Sequence, residues 1–236
     1  MYSLPGSGKN ARQSLLNYLL GFITKERKNK FLNNINYRTR YMTIVLEDIY
    51  QPHNASAVLR TCDCFGIQDV HIIENKNKYQ VNPDVALGAS KWLNIEKYNL
   101  LENNTLSCLE KLKKSGYRIF ATSPHEKDYT PETLPIETPA ALVFGTELAG
   151  LSPEALSLAD GYIKIPMVGF TESLNISVSA AVLIHTLSVR LRSSGIKWQL
   201  PEDEKTEILI SWVVNSIKKP DLLTEEFMKR NFPLPL

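Results

Sequence analysis

Short apolar runs recur along the chain at 42–47, 69–73, 117–121, 140–144 and 161–165, and the last three run on into glycine, proline or small polar residues. Runs of this length bounded by such residues read as buried strands. A more polar stretch at 93–98 is placed as a further strand. Between and around them lie segments of helical period at 12–20, 53–66, 84–90, 103–115, 174–192, 201–219 and 224–230. Asn54 is expected to cap the helix over 53–66 and Gly66 to end it. Ser173 is expected to cap the helix that follows, whose packed positions are read as Leu174, Val178, Ala181, Val182 and His185. Strand, helix, strand between 42 and 73 is a βαβ unit, so the sheet is at least partly parallel and the class is α/β.

Parallel sheets place ligands outside the carboxyl ends of their strands. Three of the expected strands end that way, at Thr122, at Gly145-Thr146-Glu147 and at Ile165-Pro166. Glu147, Ser173 and Asn175 therefore stand where chemistry is expected. Taken alone, Asn54 and Ser173 read equally well as helix caps, and Asn175 as a hydrogen-bond donor at a helix end. Arg60, set among Val58, Leu59 and Phe65, reads from spacing alone as a snorkelling surface residue.

Composition narrows the class. With 236 residues and 43% hydrophobic content the chain can build a sizeable core. No apolar run approaches the roughly 20 residues of a membrane span, and the first residues lack the layout of a secretory signal, so a cytoplasmic protein is expected. Cys62, Cys64 and Cys108 form no ligand cluster and read as small hydrophobes, so no metal site is expected. Gly6-Ser7-Gly8-Lys9 lacks the preceding glycine and strand of a phosphate loop.

The net charge of +2 says little, but its distribution is uneven. Lys25, Arg27, Lys28, Lys30, Arg38 and Arg40 face a single acid, Glu26, with Phe31, Tyr37 and Tyr41 interleaved. A solvated face is one reading. An RNA-contacting arm is the other, since clustered cations neutralise phosphates and aromatic rings stack on bases. The expected divisions are a basic helical extension over 1–40, a catalytic domain over 41–192 and a helical extension over 193–236.

Three segments taken together resemble a known family. Asn54 to Arg60, Leu142-Val143-Phe144-Gly145-Thr146-Glu147, and Ile165-Pro166-Met167 through Ser173-Leu174-Asn175-Ile176-Ser177 are similar, in order and spacing, to the signature motifs of the SpoU family. Its members are S-adenosylmethionine-dependent RNA ribose 2′-O-methyltransferases. Pro52-His53-Asn54 and Ile165 through Gly169 most resemble the subgroup acting on a guanosine of the tRNA D-loop.

The resemblance implies a mostly parallel sheet with helices on both faces and a C-terminal trefoil knot from about Thr122 to the helix after Leu174. It implies S-adenosylmethionine held by backbone groups at Thr122, Gly145, Ile165 and Leu174, giving S-adenosylhomocysteine as product. It also implies a homodimer with the active site beside the interface, and tRNA as partner. Arg60, Asn54, Glu147, Ser173 and Asn175 are the implied catalytic set. Methylation of ribosomal RNA and a non-catalytic RNA-binding role on the same fold are the alternatives. A dinucleotide-dependent dehydrogenase is excluded, because no glycine lies between Glu47 and Asn54 where the fingerprint requires several.

The family gives Arg60 the activation of the 2′-hydroxyl. An arginine side chain titrates above pH 12, and lowering it by about 5 units would cost about 7 kcal/mol. A charged Arg60 that steadies the forming alkoxide or grips the adjacent phosphate avoids that cost.

Overall fold

The computed structural model describes residues 9–123, 128–146 and 149–231. In chain order its elements are α1 (Lys9–Leu19), α2 (Lys25–Asn34), β1 (Met42–Glu47), α3 (Pro52–Phe65), β2 (Asp69–Ile73) and α4 (Pro83–Ala86). Next come β3 (Asn94–Tyr98), α5 (Asn104–Lys114), β4 (Arg118–Thr122) and β5 (Ala140–Phe144). The last are α6 (Pro153–Leu158), β6 (Gly161–Ile163), α7 (Ile176–Ser193), α8 (Glu202–Val214) and α9 (Pro220–Asn231). The chain divides into two compact units, residues 39–198 and the two terminal segments together.

The larger unit is an α/β sandwich around a six-stranded sheet of order β3-β2-β1-β5-β4-β6. Every pairing is parallel. β1 and β5 are buried along their whole length, because helices cover both faces of a parallel sheet. On one face Ile44, Leu46, Leu142 and Phe144 pack against Val58, Leu59 and Cys62 of α3 and Ala180, Leu183 and Leu187 of α7. On the other, Val45, Ile119, Ala141 and Val143 meet Cys108, Leu109 and Leu112 of α5 and Ala155 of α6.

Several sequence expectations are corrected here. α3 is capped at Gln51, not Asn54, because Pro52 takes the first helical position, where its missing N–H costs nothing. Gly66 ends it in the left-handed conformation, φ 78°, as expected. α7 is capped by Asn175, not Ser173: its side chain accepts from the Ser177 N–H at 2.8 Å. The buried face of α7 is Ile176, Ala180, Leu183, Ile184, Leu187 and Leu191, whereas Leu174, Val178, Val182 and His185 are exposed and Ala181 only half-buried. Apolar side chains also stand on its outer face, at Val178, Val182 and Val189, so its sequence allowed two phases. β6 stops at Ile163 rather than 165, because its partner strand β4 ends at Thr122, which pairs with Ile163. α9 starts at Pro220, four residues before the expected start at Thr224.

In the other unit, α1, α2, α8 and α9 bury Leu15, Leu16, Leu19, Phe31, Ile208, Leu209, Trp212 and Phe227. Phe31 and Trp212 lie with ring centroids 5.6 Å apart, and Arg12 pairs with Glu207. Acids in the first turn of α8, Glu202, Asp203 and Glu204, oppose its positive dipole end.

Candidate active site

The carboxyl ends of β4, β5 and β6 open onto one cleft of about 430 Å³. Small-molecule and cofactor sites fall in this size range. Its walls come from Thr122 and Ser123, from Gly145, Thr146, Ala149, Gly150 and Leu151, from Ile163 to Ile165 with Met167, and from Glu172, Ser173 and Leu174. Ile176, Ser179 and Leu183 of α7 close one side.

Local chemistry shapes each wall. The Thr122 hydroxyl donates to Val143 O at 2.9 Å, tying its side chain to β5. Ser123 N donates to Ile163 O at 3.2 Å, so the ends of β4 and β6 meet. After β5 the chain turns back tightly. Thr146 and Gly150 exchange backbone hydrogen bonds of 2.9 and 3.0 Å. A Cβ on Gly145 would stand 2.2 Å from Gly150 O. Glycine is required there by the close approach of two backbone segments.

The sequence-expected residues divide into groups. Thr122, Gly145, Ile165 and Leu174 all line the cleft, and Ser173 is beside Leu174 in the same wall. Asn54 and Asn175 are joined to each other: Asn175 Nδ2 donates to Asn54 Oδ1 at 3.1 Å. Asn54 is buried in the first turn of α3, and Asn175 Oδ1 also accepts from the Ser177 hydroxyl at 2.6 Å. Arg60 is exposed on α3 and does not line the cleft. Glu147 lies outside the described residues.

Of the basic set, Lys25, Arg27, Lys28 and Lys30 are all exposed on α2, which Thr24 caps by accepting from Arg27 N. Arg38 and Arg40 differ from them. Arg38 is only 4% exposed, its guanidinium 5.0 Å from the Trp212 ring centre, and half-buried Arg40 pairs with Asp69 at 3.0 Å. Both are committed to packing, as the stacking and pairing abilities of arginine favour. Their place in the charge run gave no sign of it.

The sequence reading passed over Glu47 and Asp48 at the end of β1. Glu47 is buried and accepts from Thr105 Oγ1 at 2.6 Å and from Ser152 N and Oγ at 2.9 and 2.7 Å. Asp48, at φ 52°, accepts through Oδ1 from the backbone N–H groups of Asn75, Lys76 and Asn77. An acid closing an otherwise apolar strand was the available signal. Cys62 and Cys108 are buried and Cys64 exposed, all three as thiols. Among the described residues no group of three or more His, Cys, Asp or Glu is placed to hold a metal ion.

An all-parallel sheet with a cleft across its carboxyl edge, walled by backbone turns, defines a cofactor-binding α/β protein. The sequence matches the SpoU rRNA Methylase family over residues 41–185. It is 47% identical over 197 residues to the tRNA (guanosine(18)-2′-O)-methyltransferase of Borreliella burgdorferi, covering 84% of this chain and 88% of that one. To the Thermus thermophilus protein of the same name it is 31% identical over 192 residues, covering 80% and 97% of the two chains. Among solved structures it resembles the Aquifex aeolicus TrmH/SpoU tRNA modifying enzyme, with a TM-score of 0.73, 29% identity, and coverage of 83% of this chain and 98% of that one. The chain belongs to the SpoU methylase family.

Proposed function

We propose that this protein methylates the ribose 2′-hydroxyl of a guanosine in the D-loop of tRNA, using S-adenosylmethionine. The observation that carries the reading is the convergence of the segments at Thr122, Gly145, Ile165 and Leu174 on one cleft, in a chain 47% identical to a tRNA guanosine methyltransferase.

The cleft fits the cofactor. Leu151, Ile163, Ile165, Met167, Leu174 and Leu183 offer apolar contact for a base and a thioether chain, and Ser123, Thr146, Glu172 and Ser173 put polar groups in the same walls. The bound cofactor supplies an electrophilic methyl group. The chain's own task is then to place a ribose beside the cleft and to stabilise its 2′-oxygen as the proton leaves. Positioning of this kind accounts for much of the rate in such displacements.

Ser173, exposed in the cleft wall, offers a hydroxyl to the ribose or its phosphate. Asn54 and Asn175 hold each other, so their role is to fix the loop that carries Ser173 against α3. Arg60 presents a charged fork at the surface of α3, suited to gripping the adjacent phosphate and steadying the alkoxide. Glu147 is proposed to pair with a cation of the site. Lys25, Arg27, Lys28 and Lys30 supply phosphate contacts to the body of the tRNA.

A homodimer is part of the same proposal. Val178, Val182 and Val189 are 47%, 37% and 50% exposed on α7, on the face that also carries exposed His185, and exposed apolar side chains grouped on one face mark a contact surface. A second copy covering it would bring two active sites beside the interface. The family's trefoil knot is proposed for the stretch from Thr122 to α7. In support, β5 inserts between β1 and β4, β6 lies outside β4, and α7 then returns to pack on α3. No described helix is long and apolar enough to cross a membrane, and a cytoplasmic location is proposed with the tRNA substrate.

Mapping 2′-O-methyl groups in RNA from cells with and without the gene tests the assignment. Loss of one D-loop mark supports it. Loss of a ribosomal mark instead would move the substrate to ribosomal RNA, and an unchanged map would leave only RNA binding.

A further inference from the structure

The end of β1 carries a buried acid that the proposed chemistry does not use. Glu47 is 2% exposed, and a carboxylate so placed is costly unless its oxygens are saturated. They are. Oε1 accepts from Thr105 Oγ1 at 2.6 Å and from Ser152 Oγ at 2.7 Å, and Oε2 accepts from Ser152 N at 2.9 Å. The carboxylate thus holds both polar groups of one residue 105 positions away.

Ser152 sits where the cleft-lining loop ends. It caps α6 by accepting from Ala155 N at 3.1 Å and directly follows Gly150 and Leu151, two residues of the cleft wall. The loop's other end is fixed at Gly145 by the close approach of Gly150 O. Glu47's seat is itself braced. Thr105 Oγ1 accepts from Asn75 Nδ2 at 2.8 Å, and Asn75 N donates to Asp48 at 2.7 Å.

We propose that Glu47 is a positioning residue for the cofactor, acting through Ser152 to hold Gly150 and Leu151 in the cleft wall. The inference rests on the cleft being the S-adenosylmethionine site. The geometry separates it from a general core role. What Glu47 holds through Ser152 is the residue that follows the cleft-wall pair Gly150 and Leu151.

Glu47→Gln is the informative change, because volume is kept while the charge and one acceptor oxygen are lost. An amide nitrogen turned toward Ser152 N opposes two donors. Turned the other way, it meets two hydroxyls that already accept from Ala155 N and Asn75 Nδ2. The test is calorimetry of S-adenosylhomocysteine binding and steady-state kinetics for wild type, Glu47→Gln and Thr105→Val, with melting curves for each. Glu47→Gln is expected to weaken binding about 10-fold and raise the cofactor KM by a similar factor, leaving the RNA KM within about twofold, the size expected for a lost hydrogen bond to a charged group. Thr105→Val, which removes one of the three donors, is expected to weaken binding about 3-fold. A lower melting temperature with unchanged cofactor affinity in Glu47→Gln would overturn the proposal. Should that variant not fold, unchanged affinity in Thr105→Val overturns it. Failure of folded wild-type protein to bind the ligand would instead refute the cofactor reading of the cleft.

Discussion

Asn175 donates through its side-chain amide to Asn54 Oδ1 at 3.1 Å, linking the cap of α7 to the first turn of α3 across 121 residues. The bond ties the loop bearing Ser173 to the helix bearing Arg60. Losing the bond typically costs about 0.5–1.5 kcal/mol. Asn175→Ala also loses the cap, worth about 0.5–2 kcal/mol. Urea unfolding of both single variants and the double variant should therefore show coupling of at least about 0.5 kcal/mol. Strict additivity would mean that the two amides act independently.

Arg60 allows two accounts to be separated. If it acts as a fixed charge, Arg60→Lys keeps the charge without the planar fork and should lose about 10- to 1,000-fold in single-turnover rate. Arg60→Ala should lose more, with cofactor binding intact in both. A lysine variant that matches wild type above about pH 9 would favour the base role, since lysine deprotonates far more readily than arginine. Wild-type activity in Arg60→Ala would remove the residue from the mechanism.

The exposed cations of α2 lead to an ionic-strength test. Reversing Lys25, Arg27, Lys28 and Lys30 to glutamate should weaken tRNA binding and flatten its dependence on salt, with S-adenosylhomocysteine affinity unchanged. Arg38→Gln should behave differently. Arg38 stacks on Trp212 in the terminal-segment unit, so the loss should fall on stability. An unchanged salt slope in the charge-reversed protein would return α2 to a plain solvated face.

How much of this was legible in the chain follows from which signals are local. The strand-and-turn punctuation placed the cleft walls after β4 and β5, because those strand ends are marked by Thr122-Ser123 and by Gly145. Gly66 marked the end of α3 correctly, at φ 78°, since a left-handed residue is a local demand. Phase and partnership were not legible. The α7 sequence is apolar on both faces, so only the sheet against which it packs selects Ala180 and Leu183 over Val178 and Val182. The caps shifted by two or three residues because Pro52 and Asn175 competed successfully with the expected Asn54 and Ser173. Glu47 and Ser152 meet only through the tertiary fold, and Arg38 was indistinguishable from its basic neighbours until Trp212 stood beside it.

An acid sensitivity outside the active site is expected at His71. Burial, the largest influence, pushes its imidazole below the ordinary 6.5, against the opposing pull of Glu96 and Asp69, with Lys111 also lowering it. Its Nδ1 lies 3.2 Å from the Tyr98 hydroxyl. Below pH 6.5 the unfolded chain takes up a proton that the folded imidazole resists, so stability is lost as pH falls from there toward the folded value. His71→Gln should flatten the stability profile between about pH 6.5 and 5, above the range where carboxylates dominate. An unaltered slope in urea melts would assign the sensitivity elsewhere.

The accepting atom can be identified directly. Purified protein with radiolabelled S-adenosylmethionine should label a tRNA transcript and leave unlabelled the same tRNA carrying a single 2′-deoxyguanosine at the D-loop target. Equal labelling of both RNAs would place the methyl group on a base or another nucleotide and contradict ribose 2′-O-methylation of that guanosine.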